Sequence, residues 1–411
     1  MMPALGELGR DVLGPAFCLH LERVIDRTDE HDLDRLLFVA REGFLLQRAH
    51  ALLVEQLHPR VRPAGSYLYL SRLSTSLASA RGLGVRELRL GFLKQENSVL
   101  TVLRVFGLYD ARMLELVYEA GVADPARPIY DWWRSDAVTR LLAHEPLQRE
   151  VRARADAARS LLRRYLAQEG MFTSKRAALV DIGWSGTIQN NLSRAFARDP
   201  AFPDLRGIYL GLMRDQWQRY SPEVRGRKEG VLAHHARLGR LRDRAPFYFL
   251  EIFEQSARAP HGTTLGYEEQ GGRVVPITKE RGDDRAAERR ADGAIAELQR
   301  GVLDCAGAWR RGDFDREKVL ARLERFVFFP TRRQLDALAS LHHTDDWGFD
   351  TFGGLVRGGA VLRHPGRWLD ELRRAYWKPG FVHASGGPVS GRVLGHLYHA
   401  YARLKPRPPV W

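Results

Sequence analysis

Short apolar runs that lead through a polar loop into a helical pattern are the feature that most restricts how this chain can fold. The clearest is ALVDIGWSGTIQNNLSRA (178–195), where a buried strand pattern ends at Asp181 and a Ser-Gly-Thr turn opens a helix. RLLFVAREGFLLQ (35–47) repeats this order, and SYLYLSR (66–72) and LRGIYLGLM (205–213) are typical of further strands. Strands separated by helices predict an α/β fold with a parallel, Rossmann-like sheet.

The remaining segments indicate helices placed around this sheet. At 411 residues the chain is long enough for two domains or for one large elaborated domain. Gly271-Gly272 predicts the turn of a hairpin near the end of the core. The sequence divides into an N-terminal helical segment (1–34), an α/β core (35–72 and 171–280), a large helical insertion (73–170) and a mostly helical C-terminal region (281–411).

Charge and composition narrow the partners. A formal charge of +14, most of it from arginine, suits phosphorylated small molecules and leaves open a peripheral contact with an anionic membrane surface. No nucleic acid is expected, because there is no lysine-rich tail, zinc finger or aromatic RNA-binding motif. Without a signal-peptide pattern or a long apolar stretch, the chain is predicted to be cytoplasmic. Cys18 and Cys305 predict neither a disulfide framework nor a zinc site, and both are interpreted as small buried apolar residues.

Three loops fall at the carboxyl ends of predicted strands, where parallel sheets place their ligands. They are Arg41-Glu42-Gly43, Ser71-Arg72 and the stretch from Asp181 to Thr187. In the last, small residues let backbone N–H groups converge on an anion at a helix N-terminus, while Asp181 suits hydroxyl groups or a magnesium ion held through water. Together the loops predict a doubly phosphorylated, hydroxylated ligand.

Each loop also has a simpler interpretation. An aspartate and a Gly-Ser turn before a helix often form only a helix cap. Arg41 and Glu42 beside a glycine are commonly a surface ion pair. The order of the loops, each closing a separate strand of one sheet, is what favours a shared site.

That order resembles the type I phosphoribosyltransferases. LLFVAREGFLL is similar to their pyrophosphate-binding strand and loop, and ALVDIGWSGTI is similar to their loop for the ribose and 5-phosphate of phosphoribosyl pyrophosphate (PRPP). Val180 stands where the family usually has its first acid, and Asp181 matches the second. The resemblance implies a phosphoribosyltransferase-type sheet.

A closer likeness extends over most of the chain. LGPAFCLHLERV, APHGTTLGY and FFPTRRQLDAL, together with the strand motifs, resemble modules of bacterial surface-polysaccharide loci that are often fused to phosphatases of the HAD superfamily. Some of these fusions look like PRPP-dependent ribofuranosyltransferases. The resemblance implies PRPP-dependent transfer of a phosphoribosyl group to a glycan acceptor, with a separate HAD phosphatase as a further partner.

The same resemblance implies roles for individual residues. Arg41 and Arg72 would stabilise the departing pyrophosphate, Asp181 would hold the ribose diol, and Mg²⁺ is the implied cofactor with Asp181 as its ligand. The implied substrate-binding residues are Glu42, Gly43, Ser71, Arg72, Gly183, Trp184, Ser185, Gly186 and Thr187.

An acceptor hydroxyl also needs a base. The candidates are Glu251 and Glu254, three residues apart on one helical face, and His261 between Pro260 and Gly262. Each has an ordinary structural alternative, as a solvated face or a loop residue. Two other functions stay open: a HAD-type phosphohydrolase, although Ala40 stands where its first aspartate would be, and a non-catalytic scaffold that binds PRPP or a nucleotide.

Overall fold

The computed structural model describes residues 2–60, 62–91, 98–213, 227–344, 352–356, 358, 365–386 and 389–405. The strands are Arg35–Val39 (β1), Ala64–Leu68 (β2), Arg176–Asp181 (β3), Asp204–Leu212 (β4), Lys228–His234 (β5), Thr264–Gln270 (β6), Arg273–Thr278 (β7), His342–Thr344 (β8) and Phe352–Gly354 (β9). The first ten helices are Met2–Leu8 (α1), Gly14–His31 (α2), Gly43–Leu57 (α3), Arg72–Ser79 (α4), Val85–Gly91 (α5), Val99–Val105 (α6), Ala111–Glu119 (α7), Asp136–Ala143 (α8), Glu145–Gln168 (α9) and Thr187–Ala195 (α10). The others are Leu241–Arg244 (α11), Leu250–Ala257 (α12), Asp283–Arg290 (α13), Asp292–Gly307 (α14), Arg316–Phe328 (α15), Arg332–Leu338 (α16), Pro365–Arg374 (α17), Lys378–Ser385 (α18) and Ser390–Leu404 (α19).

A five-stranded sheet forms the centre of the fold. All its pairings are parallel, in the order β2-β1-β3-β4-β5. In the register, Leu36 of β1 lies opposite Gly65 of β2 on one side and Ala178 of β3 on the other. The predicted α/β fold with a parallel sheet is confirmed.

Helices cover both faces of this sheet. Because successive side chains of a strand point to opposite faces, Leu36 and Phe38 pack into an apolar cluster with α2, α3, α12 and α14, whereas Leu37 and Val39 pack with α9, α10 and the β6–β7 hairpin. A strand that is apolar on both faces needs cover on both, which explains the unbroken apolar run at Leu36–Val39.

Two strand predictions need correction. The strand predicted to reach Arg72 ends at Leu68, and Ser71 instead caps α4, where its hydroxyl accepts a hydrogen bond from the backbone N–H of Ser74 at 2.9 Å. β5 was not predicted, because KEGVLAH begins with two charged residues and a glycine. The hairpin turn at Gly271-Gly272 is confirmed, and both glycines have positive φ angles.

The segment between β2 and β3 folds as helices α4–α9 over its described residues. Helices α5–α9 enclose an apolar cluster of their own, which includes Leu103, Phe106, Leu116 and Leu141. Among the described helices, none has the length and apolarity needed to cross a bilayer.

The two cysteines meet although 287 positions separate them in sequence. Cys18 on α2 is fully buried, as the sequence predicted, and Cys305 on α14 is partly exposed. Their Sγ atoms lie 3.9 Å apart.

Candidate functional site

The cleft opens between β1 and β3, where the order in which strands are added to the sheet reverses. β1 and β3 are neighbours, and the helices that follow them lie on opposite faces: α3 packs with the α2 and α14 side, and Leu192 of α10 packs with the α9 side. Such a switch point leaves a crevice outside the carboxyl ends of the two strands. The Arg41 loop and the Asp181–Thr187 loop form its two sides.

The cleft has a volume of about 360 Å³. Most of the predicted site residues line it, namely Arg41, Glu42, Ser71, Arg72, Asp181, Gly183, Trp184, Ser185, Gly186, Thr187, Glu251 and Glu254. The three loops that are separated by up to 146 residues in sequence therefore share one space.

Gly43 and His261 lie outside this set. Gly43 is buried at the start of α3, where a Cβ atom would come within 2.6 Å of the Phe38 carbonyl carbon, so its small size serves helix–strand packing. The His261 ring lies against Tyr69, and its Nε2 is 2.7 Å from the Tyr67 hydroxyl. His261 thus braces the loop before β6.

Two carboxyl groups at the floor of the cleft repel one another. Asp181 is buried, and its Oδ1 accepts a hydrogen bond from the Ile182 N–H at 2.8 Å. Burial, followed by the nearby charge of Glu42, raises the pKa of Asp181 well above its usual range. Burial and then the charge of Glu254 raise the pKa of Glu42 to about 7.

Glu254 is the third carboxylate of this group. Its Oε1 accepts a hydrogen bond from Trp184 Nε1 at 3.1 Å, and its Oε2 lies 3.6 Å from His343 Nδ1. An indole N–H on one oxygen and an imidazole near the other orient the carboxylate within the cleft. Its neighbour Glu42, whose pKa is raised to about 7, is suited to proton transfer.

The ring of Trp184 packs into the apolar core, while its indole N–H donates a hydrogen bond to Glu254 in the cleft. It packs against Phe247 and Phe253, with ring centroids about 6 Å away, and it is 8% exposed. A Cβ atom on Gly211 would come within 2.4 Å of the Trp184 ring, so the glycine makes room for it. The ring is therefore part of the apolar core, and its N–H points to the cleft.

Arg41 is held by a residue far along the chain. Its Nη1 donates to Glu288 Oε2 at 2.8 Å, and Arg285 Nη1 donates to the same oxygen at 3.1 Å. The Glu288 side chain is only 3% exposed. A buried carboxylate on α13 thereby fixes the guanidinium at the edge of the cleft.

A lysine that was not predicted as a site residue lies beside the opposite loop. Gly186 has φ +65°, and Thr187 begins α10 immediately after it. Lys228 Nζ donates to Asn190 Oδ1 at 2.6 Å and lies 3.4 Å from the Ser185 carbonyl oxygen. This places a cation beside the helix N-terminus, a setting that favours anions. Lys228 opens β5, the strand that was not predicted.

The C-terminal half closes the cleft. His343 of β8, Tyr376 before α18 and Thr264 of β6 all line it. The His343 and Tyr376 rings meet with centroids 4.9 Å apart. The buried Thr264 hydroxyl has no hydrogen-bond partner in the described part of the chain. Nothing in the local sequence around these residues indicated a shared site.

Magnesium chemistry fits the donor set at the cleft floor. Mg²⁺ is commonly held by one or two carboxylates together with substrate phosphates and water, and Asp181 offers such a carboxylate. The described residues contain no group of three or more metal-binding side chains. A substrate would have to supply the remaining oxygen ligands.

No family model matches the chain, and no curated protein is significantly similar to it.

Proposed function

We propose that this chain transfers a phosphoribosyl group from PRPP to a hydroxyl group of a glycan acceptor, as part of bacterial surface-polysaccharide synthesis. The observation that carries the proposal is that the Arg41 loop and the Ser185–Thr187 loop follow neighbouring strands and line one cleft, which the carboxyl groups of Glu42, Asp181 and Glu254 also line. PRPP has the same layout, with a phosphate at one end, a diphosphate at the other and a diol between.

The two loops take the two charged ends of the donor. Ser185, Gly186 and Thr187 bind the 5-phosphate at the start of α10, and Lys228 adds positive charge there. Arg41 and Arg72 lie on the side of the departing diphosphate. Asp181 lies between these ends, where it binds the ribose diol.

Mg²⁺, when bound, neutralises charge on the diphosphate and on the carboxyl groups. Asp181 is the residue of this chain that would hold it. Its pKa is raised by burial and then by repulsion from Glu42, and a cation would relieve that repulsion.

The transfer itself exchanges one C–O bond for another. The bond from the anomeric carbon to the diphosphate oxygen breaks, the acceptor oxygen bonds to that carbon, and the acceptor proton passes to Glu254. Glu254 suits this role because Trp184 and His343 orient its carboxylate toward the cleft. Glu251 lies one helical turn away and lines the same cleft. Tyr376 offers a ring surface for an acceptor sugar.

Calorimetric titration tests the donor site. PRPP with MgCl₂ should bind at least about tenfold more tightly than ribose 5-phosphate or pyrophosphate, because neither control fills both loops. Asp181→Asn should weaken PRPP binding, whereas Glu268→Gln, an exposed carboxylate on the hairpin, should not. Equal affinity for PRPP and pyrophosphate would contradict the two-loop assignment.

Two further assays separate the alternatives. If the wild type releases phosphate from a generic phosphomonoester and Glu42→Gln does not, the protein is a hydrolase. PRPP binding without pyrophosphate release in the presence of a matched acceptor would indicate a scaffold.

A further inference from the structure

The last helix, α19, presents an apolar stripe to solvent. Its opposite face packs onto the protein through Gly391, Gly395 and Ala402, which are buried. The exposed apolar side chains are Val393 (54% exposed), Leu397 (62%), Tyr401 (50%) and Leu404 (85%). Their spacing of four, four and three residues places them on one side of the helix. Isolated exposed apolar residues are ordinary, but a row of four along one helix is typical of an interaction surface.

Charge in this part of the chain is all of one sign. Residues 372–411 contain no aspartate or glutamate. The same stretch contains seven cations: Arg373, Arg374, Lys378, Arg392, Arg403, Lys405 and Arg407. Arg392 and Arg403 lie on α19 itself, Lys405 follows its last residue, and all three are exposed. Arg373 pairs with Asp370 at 3.0 Å, so the positive charge that borders the apolar stripe comes from Arg392, Arg403 and Lys405.

We propose that α19 docks the protein onto an anionic lipid bilayer surface. A helix with an apolar stripe and basic flanks lies in the interface, where the stripe enters the acyl boundary and the cations meet lipid phosphates. At 15 residues α19 is too short to span a bilayer, so it lies along the surface. Tyr401 suits the interfacial region, because its ring is apolar and its hydroxyl is polar.

Other occupants fit this surface less well. A second copy of the chain in a twofold contact would bring two copies of the same basic surface together, and repulsion among Arg392, Arg403 and their counterparts would oppose that contact. A nucleic acid would satisfy the cations but leave Leu397 and Leu404 without an apolar partner. An anionic bilayer matches both properties.

Vesicle co-sedimentation of the full chain tests the proposal without any substrate, so its outcome is independent of the proposed function. Vesicles of phosphatidylglycerol and phosphatidylcholine should retain the protein at least about tenfold better than pure phosphatidylcholine vesicles, and roughly 0.5 M salt should weaken that binding. Equal binding to both vesicle types, or none to either, would overturn the proposal.

Matched variants locate the contact. Leu397→Glu with Tyr401→Glu should lower binding to the anionic vesicles at least about tenfold, and Arg392→Glu with Arg403→Glu should remove the preference for anionic lipid. Tyr118→Glu is the control, because Tyr118 is an equally exposed tyrosine (53%) on α7. Circular dichroism would establish that each variant is folded. Retained binding in the Leu397/Tyr401 variant, or a wild-type dimer that this variant dissociates, would contradict docking through α19.

Discussion

Glu42→Gln should stabilise the unliganded protein at alkaline pH and leave its stability nearly unchanged at acid pH. The pKa of Glu42 rises from 4.5 to about 7 in the folded chain, because burial and the charge of Glu254 oppose ionisation. The folded state therefore keeps its proton at pH values where the unfolded state has lost it. The free energy of unfolding of the wild type must fall as pH rises through this interval.

The magnitude follows from the width of that interval. A pKa shift of one unit corresponds to about 1.4 kcal/mol, so the shift from 4.5 to about 7 lowers the free energy of unfolding by about 3 kcal/mol. Because Glu42 is partly exposed to the cleft, we reduce this loss to about 2 kcal/mol. A glutamine has the size of the acid and no charge to desolvate. The difference between variant and wild type should therefore grow from about 0.5 kcal/mol at pH 5 to about 2 kcal/mol at pH 8.

Urea denaturation at pH 5, 6, 7 and 8 measures this difference. Glu55→Gln is the matched control, since Glu55 lies on the same helix but is exposed. If Glu42→Gln and Glu55→Gln follow the wild-type pH dependence alike, the cleft floor does not destabilise the fold and the reasoning is wrong. If only Glu42→Gln departs, the cleft holds this carboxylate at the expense of stability.

Three further outcomes are expected. Lys228→Met should weaken binding of PRPP with MgCl₂ about tenfold by calorimetry, because Lys228 adds charge at the 5-phosphate loop, whereas the exposed Lys175→Met should not. Burial lowers the pKa of His20 to about 3, so the free energy of unfolding of the wild type should fall by up to about 1.4 kcal/mol per pH unit as pH falls below 6.5. Urea denaturation should show this loss, and His20→Leu should show a smaller one. Oxidation with diamide should form a disulfide between Cys18 and Cys305, which mass spectrometry would detect as the loss of two hydrogens. Cys305→Ser should prevent this loss.

Local patterns were sufficient for the central strands and the hairpin. β1 and β3 are apolar on both faces because they lie in the middle of the sheet, so the sequence marks them clearly. β5 lies at the sheet edge and begins with Lys228 and Glu229, and such a strand has no apolar run to recognise. Ser71 was assigned to a strand because its cap partner is Ser74 rather than the glutamate of a common capping box.

Long-range contacts explain why the site was only partly predicted. The predicted loops follow strands, and the parallel sheet alone brings their ends to one edge. The contacts of Arg41 with Glu288 and of Glu254 with His343 join segments that no periodic pattern relates. His261 was predicted as a candidate base, but its side chain packs against Tyr69 and contacts the Tyr67 hydroxyl instead of lining the cleft.

The ion pair between Arg41 and Glu288 also limits how the gene can be divided. A fragment that stops at residue 280 would keep every strand of the main sheet, yet it would leave the Arg41 guanidinium without the buried acid that holds it. Such a fragment would also lack His343 and Tyr376 from the cleft wall. The smallest fragment that keeps the cleft intact therefore includes the C-terminal region, and a shorter fragment limited to the sheet should have a disorganised cleft.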